Sequence, residues 1–169
     1  FLYTYEDIGK NKADVAAERI RLYSQDTDVR SVTEKIEGPE DMAFAAQCDI
    51  VFLAIDNNAA RRAVSDFCFE KGIPFVNGGI NGFLGNAYVC IPGKTPCLEC
   101  AGLLQEENKT TFSISTTAGI VGALQAELGI RYLLSPQSCE GGILHIFDNG
   151  AITKLKIRKG DKCRQCNNL

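Results

Sequence analysis

The feature that most constrains this chain is a pair of Cys-x-x-Cys motifs that lie far apart in its sequence. One motif is Cys97 and Cys100, and the other, Cys163 and Cys166, lies at the end of the 169 residues. Four thiolates with this spacing can bind one tetrahedral Zn²⁺ ion, whereas a single motif is equally consistent with redox chemistry. We therefore predict a structural zinc site that ties the last residues to the body of the chain. Disulfides or unrelated thiols are the alternatives.

The overall composition excludes several function classes. Hydrophobic residues make up 45% of the chain and the net charge is −3, which is ordinary for a globular protein that acts in water. No block of Lys and Arg stands out, so nucleic acid is not expected as a partner. No apolar run approaches the ~20 residues that a membrane-spanning helix needs.

The remaining cysteines indicate whether the protein resides in a reducing or an oxidising compartment of the cell. Cys48, Cys68 and Cys90 lie inside apolar stretches, where a reduced cysteine behaves as a small hydrophobic residue. Cys139 lies in a turn-like segment and is ambiguous. The pattern predicts a reducing, cytoplasmic location.

Helix and strand patterns alternate through the first half of the chain. The apolar run DIVFLAI at 49–55 is typical of a buried parallel strand. Around it the sequence predicts helices at 9–23, 39–47 and 58–71 and strands at 29–36 and 73–79. This alternation predicts a Rossmann-like α/β fold, a mainly parallel sheet flanked by helices.

The pattern changes in the second half. Residues 86–93 predict a strand at the far edge of the sheet, and the polar stretch 101–116 predicts a loop. Residues 117–134 predict a long helix. The segments ILHIFD and ITKLKIRK, joined across DNGA, predict a closing hairpin. The fold is therefore expected to end in an antiparallel extension that carries the second cysteine pair.

Polar residues at the end of the central strand are the first candidates for binding. Ligands of open α/β sheets bind beyond the carboxyl ends of the strands, where Asp56 and Asn57 follow DIVFLAI. Asp56 could coordinate Mg²⁺ on a nucleotide, and the alternative for both residues is a helix cap. Arg61 could reach a phosphate or lie on a solvated helix face. Lys12, at the start of the first helix, could meet an anionic ligand or be a surface lysine.

Two further polar features are ambiguous on sequence alone. Asn77-Gly78-Gly79 ends the next strand, and its glycines would let the backbone approach a ligand or simply form a turn. His145, the single histidine, falls in a strand pattern, which favours packing in the core or at a sheet edge over catalysis.

Taken in order, these segments resemble the adenylating domain of the ThiF/MoeB/HesA family, relatives of the ubiquitin-activating enzymes. The resemblance covers nearly the whole chain and rests on the segments DIGKNKADVAAERI, DIVFLAIDNNAARRAV, GKTPCLEC, STTAGIVGALQAELGIRYLL and DKCRQC. It implies a single adenylating domain over residues 1–169 that forms a homodimer.

The resemblance also implies a reaction. Such enzymes bind ATP and Mg²⁺ together with a small β-grasp carrier protein ending in Gly-Gly. The carrier's terminal carboxylate attacks the α-phosphate, so that an acyl-adenylate forms and pyrophosphate leaves.

By position, the resemblance assigns roles to individual residues. Lys12 would contact the phosphates, and Asp56 would serve Mg²⁺ and the nucleotide. Asn57 would lie in the nucleotide site, and Arg61 matches a further family arginine. The structural zinc ligands would be Cys97, Cys100, Cys163 and Cys166.

Two departures from the family pattern modify this expectation. The family's opening glycine-rich strand–turn–helix, its ribose-binding acid and an arginine near the γ-phosphate have no counterpart here, so the first βαβ unit is expected to be missing and these residues alone to be inactive. Many relatives also carry a cysteine in or after the crossover loop. No cysteine occurs between Cys100 and Cys139, which indicates adenylation without a thioester at that position.

Three other functions remain open at this stage. A relative that adenylates a short peptide would share every motif above. A non-catalytic, zinc-bearing dimerisation or scaffold module would share the cysteines and the sheet. A nicotinamide-dependent oxidoreductase would share the sheet, but the glycine fingerprint that it needs is absent from these residues.

Overall fold

A computed structural model describes residues 2–104, 112–137, 139 and 141–167. The chain divides into two compact units, one up to residue 35 and one from Ile36 onwards. Residues 105–111 of the loop predicted at 101–116 lie outside the described residues. Within the described part of the chain, no helix is long and apolar enough to cross a membrane.

The first unit is built on one amphipathic helix, α1 (Lys12–Tyr23). The side chain of Asn11 caps it by accepting a hydrogen bond from the backbone N–H of Ala13 at 2.9 Å. Val15 and Ala17 are its buried residues. The helix predicted at 9–23 is confirmed, and its first residue is set by the asparagine cap.

The strand predicted at 29–36 is wrong. None of these eight residues belongs to a strand, and all but Val29 and Ile36 are exposed. Alternating apolar residues favour a strand only where a neighbouring strand completes the hydrogen-bond ladder. No described strand pairs with this segment, so it stays irregular.

The second unit contains a five-stranded sheet with strand order β1-β2-β3-β4-β5. Its strands are β1 (Val51–Leu53), β2 (Phe75–Asn81), β3 (Leu84–Cys90), β4 (Ile143–Asp148) and β5 (Ala151–Lys156). Its helices are a 3₁₀ helix (Pro39–Ala45), α2 (Asn58–Lys71), α3 (Ser115–Leu134) and the short α4 (Arg164–Asn167). The predicted helices at 39–47, 58–71 and 117–134 are therefore present.

The sheet is mixed. Strands β1 and β2 are parallel, as expected for strands joined through α2, and the other three neighbouring pairs are antiparallel. The α/β class, the flanking helices and the antiparallel extension are confirmed, but the sheet is less parallel than expected. Only two residues separate β2 from β3, and so short a connection can join only antiparallel strands. Strand β3, predicted at the far edge, lies in the centre of the sheet.

Helices cover both faces of the sheet. On one face α2 packs through Val64 and Phe67 into a core that includes Phe75 and Tyr88. On the other face Leu128 of α3 and its neighbours pack against a smaller apolar cluster on β2 and β3. Because side chains alternate along a strand, β2 and β3 supply both cores.

Two turns end elements where the sequence predicts. Helix α2 stops at Gly72, which adopts φ +69° and so provides the left-handed C-cap. Asn149 and Gly150, with φ of 47° and 82°, form the two-residue turn of the closing hairpin.

Candidate functional site

The carboxyl end of β1, where Leu53 pairs with Asn77 of β2, marks the carboxyl edge of the sheet, and three of the predicted nucleotide residues, Asp56, Asn57 and Arg61, follow it in the chain. Asp56 and Asn57 follow β1 and are both exposed. Asn57 is the N-cap of α2, and its side-chain oxygen accepts a hydrogen bond from the backbone N–H of Ala60 at 2.7 Å. The cap interpretation is therefore confirmed for Asn57. The carboxylate of Asp56 stands one residue before this cap, at the positive end of the helix dipole.

Arg61 points into the fold. It is only 9% exposed, and its guanidinium donates hydrogen bonds to the side-chain oxygen of Asn77 at 3.1 Å and to the carbonyl oxygen of Ile55. Burial lowers the pKa of Arg61, and the nearby charge of Asp56 acts in the opposite direction. The solvated-face alternative is thus excluded for this residue. Arg61 joins the segment that carries Asp56 to Asn77 of β2, which pairs with Leu53 at the end of β1.

The sequence interpretation missed Asn86 and Gln125, two polar residues that make hydrogen bonds at this edge. The side-chain amide of the fully buried Asn77 also donates to Asn86 on β3 at 3.3 Å. From the opposite face, Gln125 of α3 donates to the carbonyl oxygens of Leu53 at 3.0 Å and Val76 at 3.1 Å. A polar residue inside the otherwise apolar run GALQAEL was the available signal for Gln125.

Lys12 belongs to the first compact unit. It is the first residue of α1 and is exposed. Asp56, Asn57 and Arg61 all belong to the second unit. The role of Lys12 at the phosphates stays a prediction.

The four cysteines of the two motifs form one cluster, which we call the tetracysteine site. Its sulfur atoms all lie within 4.8 Å of one another. The Sγ atoms of Cys97 and Cys163 are 3.4 Å apart, and those of Cys100 and Cys166 are 3.7 Å apart. Tetrahedral zinc with bonds of about 2.3 Å to sulfur places its ligands about 3.8 Å apart. The donor set and its spacing therefore fit a tetrahedral metal ion.

Each cysteine pair receives a backbone hydrogen bond from the other pair's segment. The N–H of Cys97 donates to Sγ of Cys166, and the N–H of Gly160 donates to Sγ of Cys100, both at 3.2 Å. Burial raises the pKa of Cys163, but hydrogen bonds from the N–H of Cys166 and from neighbouring thiols outweigh burial and lower that pKa to about 7. Burial raises the pKa of Cys97 and of Cys166 in the same cluster.

Polar contacts outside the tetracysteine site hold the C-terminal segment in place. The side-chain amide of Gln165 donates to the carboxylate of Asp66 on α2 at 2.7 Å. The ammonium of Lys159 donates to the carbonyl oxygen of Gly93 at 2.9 Å. These two contacts join the C-terminal segment to α2 and to the turn that contains Gly93.

Similarity to known proteins decides the family. The sequence matches the ThiF family over residues 1–168. The chain belongs to the ThiF family. This confirms the resemblance that the spaced motifs indicated.

Two curated ThiF-family relatives show how much of a longer protein the chain covers. It is 29% identical to the sulfur carrier protein ThiS adenylyltransferase of Bacillus subtilis, over 98% of this chain and 52% of that protein. It is 31% identical to the SAMP-activating enzyme E1 of Haloferax volcanii, over 95% of this chain and 62% of that protein. The chain thus spans about half to two thirds of the length of these relatives.

Solved structures agree on the fold. The structure of E. coli MccB with AMPCPP and MccA is 18% identical to this ThiF-family chain. It superposes with a TM-score of 0.82 over 98% of this chain and 53% of that one. At this identity the likeness establishes the Rossmann-like fold alone.

Proposed function

We propose that this ThiF-family chain forms the core of an ATP-dependent adenylyltransferase. Its substrate is the C-terminal carboxylate of a small ubiquitin-like or sulfur-carrier protein. The observation that carries the proposal is the family match over residues 1–168, together with relatives named as adenylyltransferases or activating enzymes. The products are an acyl-adenylate on the carrier and pyrophosphate.

ATP is proposed to bind at the carboxyl edge of the sheet. Asp56 is exposed at that edge, and a carboxylate there suits the Mg²⁺ that accompanies ATP. Asn57 shapes the start of α2 beside it. Arg61 acts indirectly, because its hydrogen bond to the carbonyl oxygen of Ile55 fixes the backbone that presents Asp56.

The proposed role of Lys12 is to neutralise phosphate charge. The reaction requires that the carrier's terminal carboxylate is positioned against the α-phosphate of ATP and that the negative charge that develops there is stabilised. We assign Lys12 to the phosphate charge, Asp56 to the Mg²⁺ that accompanies ATP, and Arg61 to holding the backbone that presents Asp56.

The tetracysteine site holds a structural Zn²⁺ in this proposal. All four ligands come from protein, so no position stays open for substrate. The metal's task is to fasten the C-terminal segment to the body of the fold.

The proposed partner is a β-grasp carrier that ends in Gly-Gly, and the proposed assembly is a cytoplasmic homodimer. No cysteine lies between Cys100 and Cys139. The adenylate is therefore proposed to pass directly to the next acceptor, without a thioester at that stretch. The same observation favours a second candidate substrate, a short peptide whose carboxylate is adenylated.

Mass spectrometry of the acceptor tests the proposal. The protein from its complete gene is incubated with ATP, Mg²⁺ and either a carrier ending in Gly-Gly or a short peptide, and the intact mass of the acceptor is followed. A gain of one adenylyl group, absent for a carrier without its last glycine, supports carrier activation. A gain on a short peptide instead supports the second candidate, and no gain on either acceptor would favour a non-catalytic scaffold.

A further inference from the structure

A buried tyrosine is connected to the tetracysteine site through a single peptide group. Tyr88 is completely buried, and its hydroxyl donates a hydrogen bond to the carbonyl oxygen of Pro96 at 2.8 Å. The N–H on the other side of that peptide group belongs to Cys97 and donates to Sγ of Cys166 at 3.2 Å. The described backbone has no cis peptide bond, so this carbonyl and this N–H point in opposite directions. The two hydrogen bonds therefore form one chain from the phenol hydroxyl through the peptide group to the sulfur.

Such a chain of hydrogen bonds has a direct effect on a metal ligand. A donor at the carbonyl polarises the peptide group and strengthens the bond that its N–H makes. A stronger N–H···S bond stabilises the thiolate of Cys166 and fixes its direction. Partners outside the coordination shell commonly change metal affinity by about 10- to 100-fold.

We propose that Tyr88 is a positioning residue of the tetracysteine site, which acts on Cys166 through the Pro96–Cys97 peptide group. This inference concerns metal retention and is independent of the adenylation proposed above. Because it rests on the four cysteines and Tyr88 alone, it can fail while the adenylation proposal stands, and the reverse is also true.

Other donors near the Pro96 carbonyl are weaker candidates for this task. The hydroxyl of Thr95 lies 3.3 Å from that oxygen, and the thiol of Cys90 lies 3.4 Å from it. The Thr95 hydroxyl has a single hydrogen, which the carbonyl of Ile91 at 3.4 Å also competes for. The Tyr88 hydroxyl makes the shortest of these contacts. Because Tyr88 is completely buried, bulk solvent does not compete for this contact.

Zinc competition in the full chain tests the proposal. We expect Tyr88→Phe to bind Zn²⁺ about 10-fold more weakly than the unmodified chain against a chromophoric chelator. The matched control is Tyr132→Phe, which removes the hydroxyl of a half-buried tyrosine in the cluster on the opposite face of the sheet. It should leave the affinity unchanged. Equal affinities for the folded Tyr88→Phe variant and the unmodified chain would overturn the proposal.

A second measurement decides the matter even if Tyr88→Phe does not fold. In ¹⁵N-labelled chain loaded with ¹¹³Cd²⁺, the amide protons of Cys97 and Gly160 should both couple to the metal through their N–H···S bonds. No coupling at Cys97 would overturn the proposal without any variant. In a folded Tyr88→Phe, the coupling at Cys97 should weaken while that at Gly160 persists. Equal weakening at both amides would indicate general loosening and would also overturn it.

Discussion

Arg61 and Asn77 are joined by a hydrogen bond of 3.1 Å that runs from α2 to β2, at the residue that pairs with the end of β1. The same guanidinium also donates to the carbonyl oxygen of Ile55, in the segment between β1 and α2. One arginine thus connects the two parallel strands at the edge where the nucleotide is proposed to bind. The position of Asp56 depends on a side chain that is itself buried.

Replacing this arginine should destabilise the fold. A lysine ammonium cannot reach both acceptors with the geometry of a guanidinium, so Arg61→Lys should lower the free energy of unfolding by about 2–3 kcal/mol. The matched control is the exposed neighbour, Arg62→Lys, which should change it by less than ~0.5 kcal/mol. Urea unfolding measures both. Equal stability of the two variants would mean that Arg61 does not brace the edge.

Two glycines should respond to alanine in opposite directions. A Cβ at Gly78 would collide with the side-chain amide of Gln125, which is held by its bonds to Leu53 and Val76. Gly78→Ala should therefore cost about 1–3 kcal/mol, because those bonds must break. At Gly122 in α3 a Cβ meets nothing within 4 Å, so Gly122→Ala should stabilise the chain by up to ~1 kcal/mol. Thermal unfolding should shift down for the first variant and up for the second; a shift of the same sign in both would contradict the packing described.

The tetracysteine site predicts a simple metal analysis. The purified chain should contain about one zinc per molecule. Cys163→Ser should release this zinc and make the C-terminal segment sensitive to protease, whereas Cys48→Ser, which changes an exposed cysteine outside the cluster, should do neither. Full zinc content in a chain that lacks both Cys163 and Cys166 would rule out the four-ligand site.

Burial of the single histidine predicts a pH dependence. His145 is 8% exposed. Its pKa is lowered by burial and then by the charge of Lys154, with Glu127, which is paired with Arg131, acting in the opposite direction. Below the ordinary pKa of 6.5 the unfolded chain therefore binds a proton that the folded chain does not, so the free energy of unfolding falls as the pH falls from there to the lower folded-state pKa.

Replacing this histidine should flatten the profile. His145→Gln removes the titrating group, so urea unfolding between pH 7.5 and pH 5 should show a smaller loss of stability than in the unmodified chain. Acid release of a metal from the cysteines affects both proteins and does not change the comparison. Parallel profiles would show that His145 does not titrate differently on folding.

Much of the local structure could be predicted from the sequence, since it depends on near neighbours. Helix α2 has the predicted bounds, 58–71, because its periodicity begins after the Asn57 cap and ends at Gly72. The hairpin turn at Asn149-Gly150 follows from the two residues that tolerate left-handed backbone. The tetracysteine site was predictable because the spacing of four cysteines specifies the cluster almost independently of the fold.

Long-range partners could not be predicted in this way. Strand β3 carries no local sign that β4, more than 50 residues later, would pair with it and place it in the centre of the sheet. Arg61 was ambiguous because its acceptors, the Asn77 side chain and the Ile55 carbonyl, come together only in the folded chain. The strand prediction for 29–36 was wrong for the converse reason. Apolar residues alternate in this segment, but no described strand pairs with it.

The most direct test of the account is ATP–pyrophosphate exchange by the protein from its complete gene, in the presence of a Gly-Gly carrier. Asp56→Asn is compared with Asp49→Asn, which changes an exposed aspartate at the other end of the same strand. We expect carrier-dependent exchange that falls at least ~100-fold in Asp56→Asn and is unchanged in Asp49→Asn. No exchange in the unmodified protein, or equal exchange in both variants, would contradict an adenylating site at the carboxyl edge of the sheet.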